Sequence, residues 1–252
     1  MMSSHYAPRA RFAAAFCLVS GLIGCATTPA EDPRAATERY QKVVASPVRT
    51  DQDRRMDPAR HPAEFLPFTQ VKPGMQVLDV AAGGGYTSQL LALAVGPGGM
   101  LWAQSQQPGA ALAKRLTDQP QSNFVVVTRS FEDPVPDQAA GKLDLITIVL
   151  NYHDISYLPV DRAKMNQRLF AALKPGGRLV IVDHSAKAGT GITAGKTLHR
   201  IDETVVLTEV RAAGFVLDAQ GDFLRNPADT RDESSNQPKV PTDKFALRFV
   251  KP

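Results

Sequence analysis

VLDVAAGGGY, residues 77–86, decides how the rest of this 252-residue chain is read. Val77, Leu78 and Val80 surround Asp79 as a short strand would, and three glycines follow before a helix-forming run opens at Tyr86. A strand that turns through glycines into a helix is the opening unit of an open α/β sheet, in which ligands gather at the carboxyl ends of the strands. A glycine turn alone is compatible with phosphate at a helix N-terminus. Asp79 argues against that reading, because an acid inside the turn would repel a pyrophosphate.

Working outward, helical patterns and short β-rich runs alternate from Pro62 onwards, which predicts a mainly parallel sheet covered by helices. Strands are expected at 76–80, 100–104, 124–128, 143–150, 178–183, 215–220 and 245–250, and helices at 86–95, 110–117, 162–173 and 198–213. The fourth run is continuously apolar, as central parallel strands tend to be. Lys174-Pro-Gly-Gly stops one helix, and Gly214 stands at the C-cap of another. Seven strands with a final hairpin describe a doubly wound sheet that is Rossmann-like, mainly parallel, with its last strand antiparallel and helices on both faces.

The turn, the stretch Asn151-Tyr-His-Asp after the fourth strand and the LKPGG turn at 173–177 together resemble class I S-adenosylmethionine (SAM) dependent methyltransferases. The His-Asp region resembles the small-molecule O-methyltransferases. What the resemblance implies is a SAM-dependent transferase acting on a small hydroxylated molecule. It also implies a cofactor site built from Asp79, Gly83 and Gly85, with Ala81 where a glycine is usual. The family's second strand ends in an acid that holds the SAM ribose, whereas here Gln104 or Ser105 takes that place. Ser130 and Phe131 occupy the region that meets adenine in the family, and Asn151 falls in the set that positions the nucleophile in other members. Methyl transfer is an in-line displacement on a sulfonium, and a hydroxyl attacks better once it loses its proton. An imidazole titrates near neutral pH and can take that proton. His153 is therefore the candidate general base, with Asp154 to orient its ring or stabilise the imidazolium.

Asp183 and His184 end the neighbouring fifth strand and are expected to converge with His153 and Asp154 on one pocket. No metal ligand set is assigned, since mixed imidazole and carboxylate donors do not suit magnesium. His199 and Glu203 stand one helical turn apart, without the second histidine of a zincin, and read as an exposed pair or a pocket wall with Arg200. The missing ribose acid keeps a second class open: a catalytically inactive binding module that uses the old cleft for another ligand.

The N-terminus speaks of export. Residues 1–11 carry two arginines and no acid, and residues 12–24 are an apolar run too short for a mature membrane span. Leu22-Ile-Gly-Cys25 resembles the lipobox of bacterial lipoproteins, which implies a signal peptide at 1–24 and acylation of Cys25. Ala26 rather than Asp leans that expectation towards the outer membrane, with the body facing the periplasm. Cys17 would leave with the signal, so the mature chain would hold no disulfide. Its formal charge would fall from +4 to +2 with two arginines of the leader, and no dense basic block suggests nucleic acid. Residues 25–61 read as a tether and an N-terminal helical segment, which either spaces the domain from the membrane or lids it, and 62–252 as the transferase-like domain.

Overall fold

The computed structural model describes residues 1–3, 5 and 32–252; the apolar run 12–24, with the lipobox, and Cys25 lie outside the described residues. The chain divides into Met1–Glu31 and a compact unit, Asp32–Pro252. Among the described residues no helix is long and apolar enough to cross a membrane.

Seven strands form one sheet: β1 (Gln76–Val80), β2 (Met100–Ser105), β3 (Phe124–Thr128), β4 (Leu143–Val149), β5 (Leu173–His184), β6 (Val216–Gly221) and β7 (Lys244–Val250). Their order is β3-β2-β1-β4-β5-β7-β6. The first five run parallel, while β7 is antiparallel to both β5 and β6. The chain order reverses between β1 and β4, which opens a crevice at the carboxyl ends of those two strands.

The two-residue period of the strands sorts the core into two layers. Leu78, Ile146, Ile148, Leu179 and Ile181 pack on one face against Met165 and Leu169 of α7 (Arg162–Ala172) and Val206 and Val210 of α9 (Glu203–Ala212). Val77, Leu145, Val180 and Val182 pack on the other against α4 (Tyr86–Val95), α3 (Pro62–Thr69) and α1 (Pro33–Val44). Asp79 and Thr147 belong by alternation to this second face, one polar pair within an apolar layer.

The N-terminal helices are not a spacer. α1 buries Tyr40 and Val43 and donates the Tyr40 hydroxyl to Val71 O at 2.8 Å. α2 (Asp51–Arg60) starts with a capping box in which Thr50 and Asp53 satisfy each other's backbone N–H. It is fixed to α5 (Ala110–Asp118) by a bidentate pair, Arg115 to Asp53 at 2.8 and 2.7 Å, both side chains nearly buried. Arg49, before α2, pairs with Asp57, which also accepts the Tyr86 hydroxyl at 2.7 Å.

Two further differences from the expected elements have physical causes. The run 198–213 is not one helix: α8 (Gly195–Leu198) ends at His199, whose φ is +50°, and α9 begins only at Glu203. Arg200 breaks the helix because its fully buried guanidinium is drawn to Ser185 O, Glu233 O and Asp229. Ile201 then bridges to Ser185 as a short parallel extension of the sheet. A short helix, α6 (Tyr152–Tyr157), turns the chain directly after β4, and the polar loop 226–243 is tied down through Asp229, Ser235 and Asp243.

Candidate active site

The crevice holds a cavity of about 500 Å³ at the ends of β1 and β4, roofed by α2 and flanked by α5. That is within the range of sites that enclose a drug-sized ligand. Asp79, Ala81, Gly83 and Asn151 line it, as do Thr50, Met56 and Arg60 of the N-terminal segment.

Asp79 is only 2 % exposed and accepts two hydroxyl hydrogen bonds, from Ser88 at 2.5 Å and Thr147 at 2.7 Å. Burial pushes its carboxyl up to about 6, opposed by those hydroxyls and by the more distant charge of Arg60. Among the described residues, this buried acid has no cation in hydrogen-bond contact. Arg60 stands over the Tyr86 ring at 5.7 Å and makes no hydrogen bond or ion pair among the described residues. Burial lowers its pKa, against the pull of Tyr86, Asp183 and Asp79.

The turn between β1 and α4 is built by backbone conformation. Gly83 has φ +55° and nothing within 4 Å of where a Cβ would stand, so its surface is open to the cavity. Gly85 has φ +81°, and a Cβ there would meet Leu112 at 2.8 Å; it serves the packing of α5 and does not line the cavity. Ala81 also takes a left-handed φ of +57°, which costs an alanine about 1 kcal/mol that glycine would avoid. Asn151 donates its amide to Ala81 O at 3.1 Å and Val149 O at 2.9 Å, which joins the β1 turn to the end of β4.

Several expected contacts are not made. Gln104 is fully buried; its oxygen accepts from Ala81 N at 2.9 Å and its amide donates to Arg129 O at 2.6 Å. Both ends of the side chain are used to tie the β1 turn to the end of β3, so it offers nothing to a ribose. Ser105 accepts from Gln107 N, Ser130 is exposed, and Phe131 packs against the core; none of the three lines the cavity.

His153 and Asp154 lie on α6, just beyond the cavity's edge at Asn151, and neither is part of its wall. The expected convergence with the end of β5 is present. His153 is 3 % exposed, and its Nδ1 meets Asp183 at 2.6 Å while its backbone N–H donates to the other Asp183 oxygen at 2.8 Å. Asp183, not Asp154, orients the ring. Asp154 stands instead 3.2 Å from Nε2, and also takes His199 Nδ1 at 3.0 Å and the Tyr157 hydroxyl at 3.0 Å. Burial of His153 favours the neutral ring, but the charge of Asp183 and the hydrogen bonds to Asp154 and Asp183 outweigh it and raise the pKa to about 9. In this arrangement the ring is an imidazolium at neutral pH, not a free base. Asp154 is correspondingly held down at about 2: burial, which would raise it, is overcome by His153, His199 and Tyr157. His184 is pushed down to about 2 by burial and by the charge of Lys244. His199 does not pair with Glu203, which instead holds Arg225.

Thr50, Met56 and Arg60 were not foreseen in the site. Thr50-Asp-Gln-Asp is a legible helix start, yet nothing in its composition says which surface the helix will cover.

No protein-family model matches the chain. Over 120 residues it is 31 % identical to the ubiquinone/menaquinone biosynthesis C-methyltransferase UbiE of Bordetella avium, and over 117 residues 28 % identical to the same-named protein of Burkholderia multivorans. These matches cover 47 and 46 % of this chain, and 44 and 45 % of the relatives' own length. Among solved structures, a SAM-dependent methyltransferase from Aquifex aeolicus superposes with a TM-score of 0.58 at 19 % identity, covering 81 % of this chain and all of that one. A 1,6-didemethyltoxoflavin-N1-methyltransferase from Burkholderia thailandensis, solved with its substrate and S-adenosylhomocysteine, gives 0.54 at 20 % identity over 89 and 92 % of the two chains. The fold is that of the class I SAM-dependent methyltransferases, and the chain spans less than half the length of the curated relatives it matches.

Proposed function

We propose that the chain binds SAM in the cavity between β1 and β4 and transfers its methyl group to a small-molecule acceptor. The observation that carries this is Asp79: a buried carboxylate at a glycine turn, facing a cavity of the right size, with hydroxyl but no cationic hydrogen-bond partners among the described residues. An ammonium is the partner such a carboxylate lacks, and the open backbone at Gly83 lets a ligand approach closely. Arg60 is the residue suited to a ligand carboxylate. Bound there, SAM supplies an electrophilic methyl on a sulfonium; the chain's part is to hold it, orient it and exclude water.

Small molecules are the acceptor class named for the neighbour solved with its substrate, and the quinone-pathway relatives fit the same reading. Those proteins are named for transfer to nitrogen and to carbon, so oxygen as the attacking atom rests on the His-Asp resemblance. The finer version, with His153 as base, draws support from the Asp183–His153 dyad, which fixes Nδ1 and makes Nε2, once deprotonated, the atom that would take a proton. Asp154 beside Nε2 works against it, so the base would act only once Asp154 is drawn away.

Calorimetric titration of SAM into the purified chain, with NAD and adenosine as controls, tests the cofactor. Micromolar binding that weakens at least about 30-fold (about 2 kcal/mol) in Asp79→Ala is expected. Absence of binding at millimolar SAM, with the fold intact, would move the reading to a binding module for another ligand. We also propose that Cys25 is lipidated and anchors the protein to the cell envelope with its body in the periplasm. Incorporation of labelled palmitate in cells, lost in Cys25→Ser, is the expected result.

A further inference from the structure

We propose that His153, Asp154 and His199 form a binding site for a first-row divalent transition cation such as zinc, at the rim of the sheet beside the cavity. One ligand atom from each of the three lies within 4.8 Å of the others. His153 Nε2 is 3.2 Å from Asp154 Oδ1, and His199 Nδ1 is 3.0 Å from the same oxygen. Donors bound to one cation at zinc–nitrogen distances stand about 2.9–3.4 Å apart, depending on whether the geometry is octahedral or tetrahedral. The two imidazoles meet edge to face, with centroids 5.6 Å apart and planes at 89°, so their nitrogens converge on the carboxylate rather than stacking away from it.

The surroundings are those of a ligand set held from behind. Nδ1 of His153 is engaged at 2.6 Å by Asp183, which is wholly buried and fixed in turn by the backbone N–H groups of His153 and His184. A carboxylate on the far nitrogen is the usual device that sets the tautomer and aim of a metal-binding histidine. His199 is positioned as firmly. Its neighbour Arg200 is buried against Asp229 and Ser185 O, its carbonyl accepts from Ser235 Oγ at 2.9 Å, and it takes a left-handed φ of +50°. His184, edge-on to His153 at 5.9 Å, is tied through Nδ1 to Thr242 and is not counted among the ligands.

Two imidazoles and one carboxylate suit zinc, iron(II) or cobalt(II) rather than magnesium or calcium, which take oxygen donors. Three protein ligands leave positions open, and Asp154 and His199 remain partly exposed, so water or another small ligand can complete the set. The inference goes beyond the methyl-transfer reading and does not depend on it.

The test is metal binding by the full chain without SAM. After chelator treatment, zinc is titrated calorimetrically and cobalt(II) is followed by its visible spectrum. One zinc per chain at micromolar or tighter affinity is expected, weakened at least about tenfold in both His199→Ala and Asp154→Asn, with cobalt bands of a nitrogen and oxygen site. His199 and Asp154 are partly exposed, and circular dichroism checks that these variants fold. Cys25→Ser is expected to bind as the parent does. No binding at about 100 µM free zinc with the fold intact overturns the proposal, as does affinity unchanged in both variants. An intense thiolate charge-transfer band lost in Cys25→Ser overturns it too, since it places the metal at the cysteine.

Discussion

At the end of β1, Asp79 is buried among hydroxyls; at the end of β5, Asp183 is buried among an imidazole and two backbone amides. The first carboxylate is satisfied for hydrogen bonds but not for charge, and its proton is held accordingly tightly. The second is balanced from within the protein. A buried acid without a cation is costly to the empty protein and useful to a binding site, because the missing charge arrives with the ligand. A buried acid already paired with an imidazole serves positioning, and what it positions is the ring of His153.

The comparison can be broken at its most costly point first. His153→Ala leaves Asp183 buried without its imidazole, and removal of one partner of such a pair is expected to destabilise by about 3 kcal/mol or more. Denaturant unfolding measures this, and a loss under 1 kcal/mol would mean that the backbone amides alone balance Asp183.

Asp79 is expected to behave in the opposite sense. Its folded pKa of about 6 lies above the ordinary 3.8, so the native state binds the proton more tightly than the unfolded chain. Stability from this group is full below about pH 4 and is lost as pH rises through 6, amounting to at most about 3 kcal/mol. Asp79→Asn is therefore expected to be more stable than the parent at pH 7.5, by about 1–3 kcal/mol, with the gap narrowing at pH 5. Unfolding curves at both pH values check this. A less stable variant with no pH-dependent gap would show that the hydroxyl geometry, not the charge, matters at this site.

Gln104→Glu sharpens the contrast from a third strand end. It restores the acid usual in the resembled family but removes the donor to Arg129 O inside a fully buried site. A loss of about 2 kcal/mol with no gain in SAM affinity is expected, read by unfolding and calorimetry. The smallest effect belongs to Ala81→Gly, where relief of the left-handed backbone should raise stability by no more than about 1 kcal/mol in the same unfolding assay.

Much of this fold was legible because its signals are local. Alternating strands and helices, the glycine turn and the KPGG punctuation locate six of the seven strands within a residue or two. β5 is the exception. It begins at Leu173, opposite Leu143, with Lys174–Gly177 bulging before the ladder resumes at Arg178. Asp79, Ala81, Gly83 and Asn151 all line the cavity, because strand ends and tight turns leave few choices; that they hold a cofactor belongs to the proposal above. What sequence reasoning missed depends on distant partners. The break at His199-Arg200 is made by Asp229 and Glu233, some thirty residues away, and helix propensity carries no trace of them. Gln104 reads as a ligand contact until Ala81 N and Arg129 O are seen to occupy it. Asp183 was expected near His153, but that it and not Asp154 would hold Nδ1 is a matter of ring orientation.

The roof formed by α2 has a consequence for the order in which the molecule is assembled. α1 and α2 precede the sheet in the chain, yet their docking partners lie well downstream: Asp53 waits for Arg115, Asp57 for Tyr86, and Tyr40 for Val71. With little apolar surface of its own, α2 gains a stable position only after α4 and α5 are in place. The sheet can therefore form around an uncovered crevice, and a segment that precedes it in the chain closes it late. Chains truncated before Arg115 would hold β1, its glycine turn and α2, but not the guanidinium that pins α2 over the crevice.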